Sequence, residues 1–455
     1  GFLPTEQSHP LTERLSPVIN QSAEEGIEML LSVDADIASV ARRVVLGSEF
    51  ELLVQAFRNA ILERRRISFS GCGSTGRLAI MLEEMWRTAW TERGRPDLAD
   101  LGHSIMTGGD RALIRSVENF EDYEVFGERQ VADAGLARGD LLVAITEGGE
   151  TSSVIGTVRE AVRRNCRVFF LYNNPTRLLV DRISRSRSVI DDPEVTAVDL
   201  FTGPMALSGS TRMQATTMEM LIVGIAIEEA IETVFDSWPS KGDACERRLA
   251  RVDAFTRLHQ SLSSAKNRRV LAELTELEAK TYRRGGRITY FADRFLLDIF
   301  SDTTERTPTF MLPPFRRRDD DQAAVSWAFA KHPSWSTPEA WRRMLQREPR
   351  GLSWTTDDYR AMNAPVSLQQ EAPDLSLQEI HRYAIGNEPD FSRWDADGSV
   401  AVDVFVENTE SMQPDSAAGV ASVPEGVKCS RVSIASNETP HSTGTDYESE
   451  FPLVL

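Results

Sequence analysis

The chain has 455 residues, 41% of them hydrophobic, and a formal net charge of -18 at neutral pH. That length can bury cores for two or three domains, and so acidic a chain has no general attraction for nucleic acid or an anionic membrane. Cys72, Cys166, Cys245 and Cys429 are scattered without ligand spacing, as are the six histidines, so no metal, disulfide framework or other cofactor is expected and a reducing, cytoplasmic setting fits.

The opening "GFLPTEQSHP" has neither a basic start nor an apolar stretch, so no signal peptide is expected, and the missing initial Met points to a partial chain. From about Leu15 to Arg65 apolar residues recur at spacings of three and four, which predicts amphipathic helices. The pattern then changes to short apolar runs alternating with helices. Strands are expected at 66–70, 103–107, 140–146, 167–173 and 195–200; the first, third and fourth are apolar almost throughout, as parallel strands buried on both faces are. A doubly wound α/β domain follows.

Ligands of such sheets sit beyond the carboxyl ends of the strands. Three turns rich in glycine and hydroxyl groups fall at that edge: "GCGSTG" from Gly71, "TEGGETSS" from Thr146, and "GPMALSGSTRM" from Gly203. One such turn reads equally as a phosphate cradle or as a ligand-free strand-to-helix connection; three at one edge favour the cradle. The apolar run "MEMLIVGIAIEEAI" carries Glu219, Glu228 and Glu229 and reads as a buried helix. A further strand at 287–292 opens a second α/β region whose first turn has no glycine, and 400–407 reads as a later strand. From about Asn408 the composition turns to Ser, Thr, Pro, Gly and acids, which predicts a disordered tail with at most one short strand at "CSRVSIAS".

Taken together, "TEQSHPLTERLS", "GCGSTGRLA", "GGDRALIRSVENFED" and "GPMALSGSTRM" resemble the sugar isomerase (SIS) domain family, in the branch that includes N-acetylmuramic acid 6-phosphate etherase and the glucokinase regulatory protein. The likeness covers roughly residues 5–235; past Gly286, "PTFMLPPFRR" and "GLSWTTDDYRAM" are similar to the second SIS domain of the regulatory protein. The resemblance implies an α/β fold with a doubly wound parallel-sheet SIS domain (66–240) behind a helical N-terminal lead-in (1–65), connecting helices (241–285), a degenerate SIS-like second domain (286–407) and the tail (408–455).

It also implies a phosphorylated sugar as ligand, held by Gly73, Ser74, Thr75, Thr146, Thr151, Ser208, Ser210 and Thr211. Glu147 and Glu150 flank the second turn and would repel a phosphate unless they point away, and Gln214 stands where many relatives carry Lys. Elimination of the lactyl ether needs two acid–base groups. One family glutamate matches Glu118; the column of the other holds Met85, with Glu84 adjacent but rotated by about 100° on a helix. Glu118 reads equally as a local cap or a contact to sugar hydroxyls, and Arg77 as a phosphate contact or a partner of Glu118 or Asp122. Cys72 reads as small filler. The lost second glutamate favours a non-catalytic binder of a sugar phosphate whose occupancy regulates a sugar kinase or other protein partner; the alternative is a carbon–oxygen lyase of the etherase type using Glu118, with Glu84 as acid.

Overall fold

The computed structural model describes residues 2–210, 212–235, 241–406, 423–435 and 447–454. The chain divides into two compact units: Gly1–Glu13, Val33–Thr256 and Gly351–Leu375 form the first, and Arg14–Ser32, Arg257–Arg350 and Ser376–Leu455 the second.

The first unit is built on five parallel strands, β1 (Ile67–Gly71), β2 (Gly102–Met106), β3 (Leu141–Ile145), β4 (Arg167–Tyr172) and β5 (Val195–Asp199), in the order β2-β1-β3-β4-β5. The helices that matter to the site are α1 (Ser48–Glu63), α2 (Ser74–Glu92), α3 (Glu124–Asp133), α4 (Ser152–Arg163) and α5 (Gln214–Phe235). Side chains alternate across a strand, so β3 sends Leu141, Val143 and Ile145 to one core with Phe57, Trp86 and Ile222, and Leu142 and Ala144 to the other with Val154, Ile155 and Val158. Both faces are covered, and the doubly wound sheet is confirmed by its strand order. That order reverses direction between β1 and β3, which is where a crevice opens in this architecture.

The second unit repeats the plan. Its strands β6 (Ile288–Ala292), β7 (Ala328–Lys331), β8 (Val400–Val406), β9 (Lys428–Ala435) and β10 (Ser449–Val454) are all parallel in the order β10-β9-β8-β6-β7. Counted within the unit this is again second, first, third, fourth, fifth. Helix α6 (Ala265–Arg283) brings Leu271 and Leu274 against a core of Ile288, Tyr290, Val402, Val432 and Phe451, and α7 (Leu296–Phe310) follows β6.

Three expectations need correction. The segment 408–455 is not simply a tail: β9 and β10 come from it and complete the second sheet, while 407–422, 436–446 and 455 lie outside the described residues. The short strand expected at "CSRVSIAS" is β9, and the polar composition of the window masked the other, β10. Pro452 did so too, although β10 is an edge strand, where the missing N–H is tolerated. The lead-in does not all belong to the first unit. Residues 14–32 fall in the second, where Leu31 O bonds His259 Nε2 at 2.8 Å and Glu28 lies 3.7 Å from Arg268.

Finally, residues 351–375 leave the second region and pack on the first unit. Trp354 and Tyr359 enclose Phe120 and Phe126, Trp354 Nε1 donates to Asp133 Oδ2 at 2.6 Å, and Asp358 pairs with Arg129 at 3.1 Å. This cluster anchors the loop that carries Glu118 and Glu121. Trp354→Ala should cost about 3 kcal/mol or more of the first unit's stability, read as a lowered urea midpoint; an unchanged midpoint would show that the segment does not support that unit.

Candidate functional site

The cradle turn is built by close backbone approach. A Cβ on Gly71 would lie 2.2 Å from Thr75 O, and Gly73 adopts φ +57° with nothing within 4 Å of where its Cβ would be. Thr75 Oγ1 closes the turn, accepting from Cys72 N at 3.0 Å and donating to Cys72 O at 2.9 Å. The Thr75 hydroxyl therefore holds the turn, and what it leaves for a ligand is its backbone. Helix α2 starts at Ser74, and the first N–H groups of an α-helix have no use within it.

The neighbouring turns are tied to this one by hydroxyl groups. After β2, Thr107 Oγ1 donates to Gly71 O at 3.4 Å and shares a 2.9 Å hydrogen bond with Ser153 Oγ on α4. After β3, Thr146 Oγ1 and Thr151 Oγ1 lie 3.0 Å apart. Asn174, following β4, donates to Gly148 O at 3.0 Å and to Thr5 Oγ1 at 2.9 Å. Ser208 Oγ donates to Glu6 O at 3.0 Å, and His9 N to Met205 O at 3.1 Å. The "TEQSH" segment thus ties the turn after β3 to the turn after β5, a role its sequence did not reveal. Ser210 is buried, its N–H bonded to Leu207 O; Thr211 lies outside the described residues. Gln214 staples its own turn through Pro204 O and Ala206 N.

Two of the nearby carboxylates are taken up within the fold, while Glu121 and Glu147 act on Cys72 in the cradle turn. Glu150 is drawn onto Arg185 at 2.8 Å. Glu219 on α5 is fully buried, accepting from Asn173 Nδ2 at 2.6 Å. Burial first, then the charge of nearby Glu147, pushes its carboxyl well above the usual carboxylate range, which favours the uncharged form. Glu147 is itself nearly buried. Sequence reading weighed Glu147 only as a repulsive neighbour and took Glu219 as a sign of a buried helix; their pairing across β3 and α5 is a tertiary fact.

The candidate acids behave differently from one another. Glu84 accepts from Thr88 Oγ1 at 2.8 Å along its own helix, and ten residues of α2 set it about 15 Å from Ser74. It does not share a crevice with the cradle, contrary to its expected use as an acid. Glu83 is committed to Ser104 and Arg87, and Met85 packs on the hydrophobic core. Glu118 is exposed on the loop before α3. Glu121, not singled out from the sequence, brings Oε2 to 4.0 Å from Cys72 Sγ, and burial, then the charge of Asp122, raises its pKa. Burial, then Glu121, pushes the Cys72 thiol up to about 12, which leaves it un-ionised and a poor nucleophile. Arg77 is buried and reaches Leu113 O at 3.5 Å. Among the described residues no cluster of His, Cys, Asp or Glu could hold a metal, and no helix is long and apolar enough to cross a membrane.

Comparison with known proteins agrees with this geometry. The family described as "Glucokinase regulatory protein N-terminal SIS domain" matches residues 50–162. By that match the first unit resembles the sugar isomerase (SIS) domain proteins. N-acetylmuramic acid 6-phosphate etherase of Trichormus variabilis is 30% identical over 228 residues, 50% of this chain and 66% of that protein. The same-named protein of Clostridium acetobutylicum is 26% identical over 214 residues, 47% of this chain and 61% of the relative. The chain thus matches just under two thirds of the length of such relatives. Among solved structures, the C-terminal domain of glucosamine-fructose-6-phosphate aminotransferase from Francisella tularensis is 12% identical at a TM-score of 0.46, covering 94% of this chain and 87% of its own. The fold assignment rests on the strand order instead.

The buried Glu219 gives a pH signature. Its folded pKa is raised, so its contribution to stability is full below the unfolded value of about 4.5 and falls as pH rises toward the folded value. Glu219→Gln keeps an acceptor for Asn173 and removes the titration. The variant should melt a few degrees above the parent at pH 8 and level with it near pH 4.5; parallel melting curves across that range would refute a neutral buried acid.

Proposed function

We propose that the first unit binds a phosphorylated sugar, with the phosphate at the start of α2 and the sugar over the turns after β3 and β5. The observation that carries this reading is the cradle turn, with Gly71 and Gly73 opening the backbone at the switch point between β1 and β3. Gly73, Ser74 and the backbone of Thr75 would meet the phosphate, and Thr146, Thr151, Ser208 and Ser210 the sugar hydroxyls, with Thr211 assigned to the same turn by the resemblance alone. Pairing of Glu150 with Arg185 and the raised pKa of Glu219 lower the repulsion an anion would meet.

Two finer readings differ on turnover. Relatives named as etherases favour a carbon–oxygen lyase acting on a phosphorylated amino sugar, with Glu118 as acid–base group. The second acid it needs is better sought in Glu121, beside Cys72, than in Glu84. Recognition without turnover is favoured by one specific observation, the core position of Met85 where the family's second glutamate is expected. A regulated kinase or other protein partner follows only from the likeness to the regulatory protein. The comparisons weigh more toward the lyase than toward regulation.

Calorimetric titration of the chain with N-acetylmuramic acid 6-phosphate and fructose 6-phosphate tests the site. Saturable heat that Gly73→Val abolishes is expected; no heat with either sugar overturns the reading. A parallel assay for lactate separates the two finer readings: release that falls about 100-fold or more in Glu118→Gln supports the lyase, and binding without lactate supports recognition.

A further inference from the structure

The second unit carries a cavity of its own, about 210 Å³, beside the edge strand β7. Its wall includes Arg316, Arg317, Arg318 and Arg393, with Asp321 and Asp390 opposite. The two charge sets are not paired off. Arg317 is neutralised by the buried Glu379, at 2.7 Å. Arg316 makes one long bond, to Ala323 O at 3.3 Å. The exposed Arg318 side chain forms no hydrogen bond or ion pair among the described residues.

At the base lies Arg393, fully buried. Its guanidinium donates to neutral acceptors: Thr289 Oγ1 at 3.0 Å, Ile288 O at 2.6 Å, Trp327 O at 3.3 Å, and Ser326. A buried cation bonded directly only to carbonyl and hydroxyl oxygens, with Asp390 as its main charge of opposite sign, is costly to bury and gains from a further anion. The buried Lys331 nearby has its pKa lowered to about 8 by burial, with Asp390 and Glu388 acting against the fall and Arg393 and Arg318 adding to it. In a chain of net charge -18, a locally positive cavity runs against the overall field. Two aromatic rings complete it: Phe329 in the wall, stacked on Phe315 at 4.0 Å, and Phe391 at the rim, 70% exposed.

We propose that this cavity is a second anion site, separate from the cradle of the first unit, that takes a small phosphate ester between Arg316 and Arg318 above Arg393. The phosphate meets two forked guanidinium groups, the geometry that suits its oxygens, and the organic part lies against Phe329 and Phe391. At about 210 Å³ the space is below the roughly 300–1,000 Å³ of drug-sized sites, so it fits a monophosphate of a small sugar or polyol and excludes a dinucleotide. The turn after β6, which corresponds in topology to the cradle, is not part of it: Asp293 there is bonded to His332 at 3.0 Å.

The test is calorimetry of the full chain with inorganic phosphate and with glucose 6-phosphate, on the parent, on Arg316→Gln/Arg318→Gln, and on Ser74→Ala. Thermal melting checks folding; neither arginine makes a strong bond within the fold, so the double variant should melt with the parent. The double variant should weaken one binding event at least roughly tenfold, the loss expected for charged hydrogen bonds, while Ser74→Ala leaves that event intact and Arg316→Lys/Arg318→Lys restores part of it. Superimposable isotherms for parent and double variant overturn the proposal. So does the loss of all binding in Ser74→Ala, which would place every event in the cradle, and so does an absence of heat at millimolar phosphate.

Discussion

The fold-back of the chain at Gly71 is the constraint around which the first unit is arranged. Thr75 O comes so near that no side chain fits, and the Thr75 hydroxyl then bonds both the N–H and the carbonyl of Cys72. This double bond sets the direction in which α2 leaves β1 and fixes its first turn at the gap where the sheet reverses order. Thr107 and Ser153 bind to that turn, and the N-terminal segment closes the rim from the other side through Asn174 and Ser208. A larger residue at 71 would push α2 off the strand, and the rest of the edge would lose its reference.

An acidic chain that offers a place for an anion must first manage its own carboxylates. Here it does so in two ways, ion pairing for Glu150 and burial that raises the pKa of Glu219, both of which use residues far away in sequence. The second unit shows the contrast. Its strand order is the same, but the turn after β6 holds Asp293, which His332 bonds and keeps below its usual pKa. With a carboxylate of its own at the turn, already bonded to His332, that edge lacks the open glycine cradle of the first unit. Duplicated topology therefore does not carry duplicated chemistry.

Much of the fold was legible because parallel strands buried on both faces are continuous apolar runs. β1, β3 and β4 stand out for that reason, as do the glycine and hydroxyl turns that follow them. β7 was missed because "AFAK" is only four residues long and sits between Trp327 and His332. β10 was missed because Pro452 and a polar window argued against a strand, and only its edge position makes the proline harmless. The placement of residues 351–375 on the first unit depends on Trp354 and Tyr359 meeting Phe120 and Phe126, a contact between segments more than two hundred residues apart.

By itself the sequence determined the α/β class, the helical lead-in and the three turns at one sheet edge, because each is written in local spacing; the mismatch at Met85 follows only from the family resemblance. Only the tertiary structure decided which acids matter. Periodicity gave the direction of Glu84 relative to Met85, but its bond to Thr88 and its distance from the cradle come from a helix that runs unbroken from Ser74 to Glu92. Glu121 meets Cys72 because a loop is pinned by aromatic rings, and the pKa of Glu219 is raised because α5 buries it beside Glu147. Burial and charge proximity are sums over neighbours that chain folding brings together, and no window of sequence contains them.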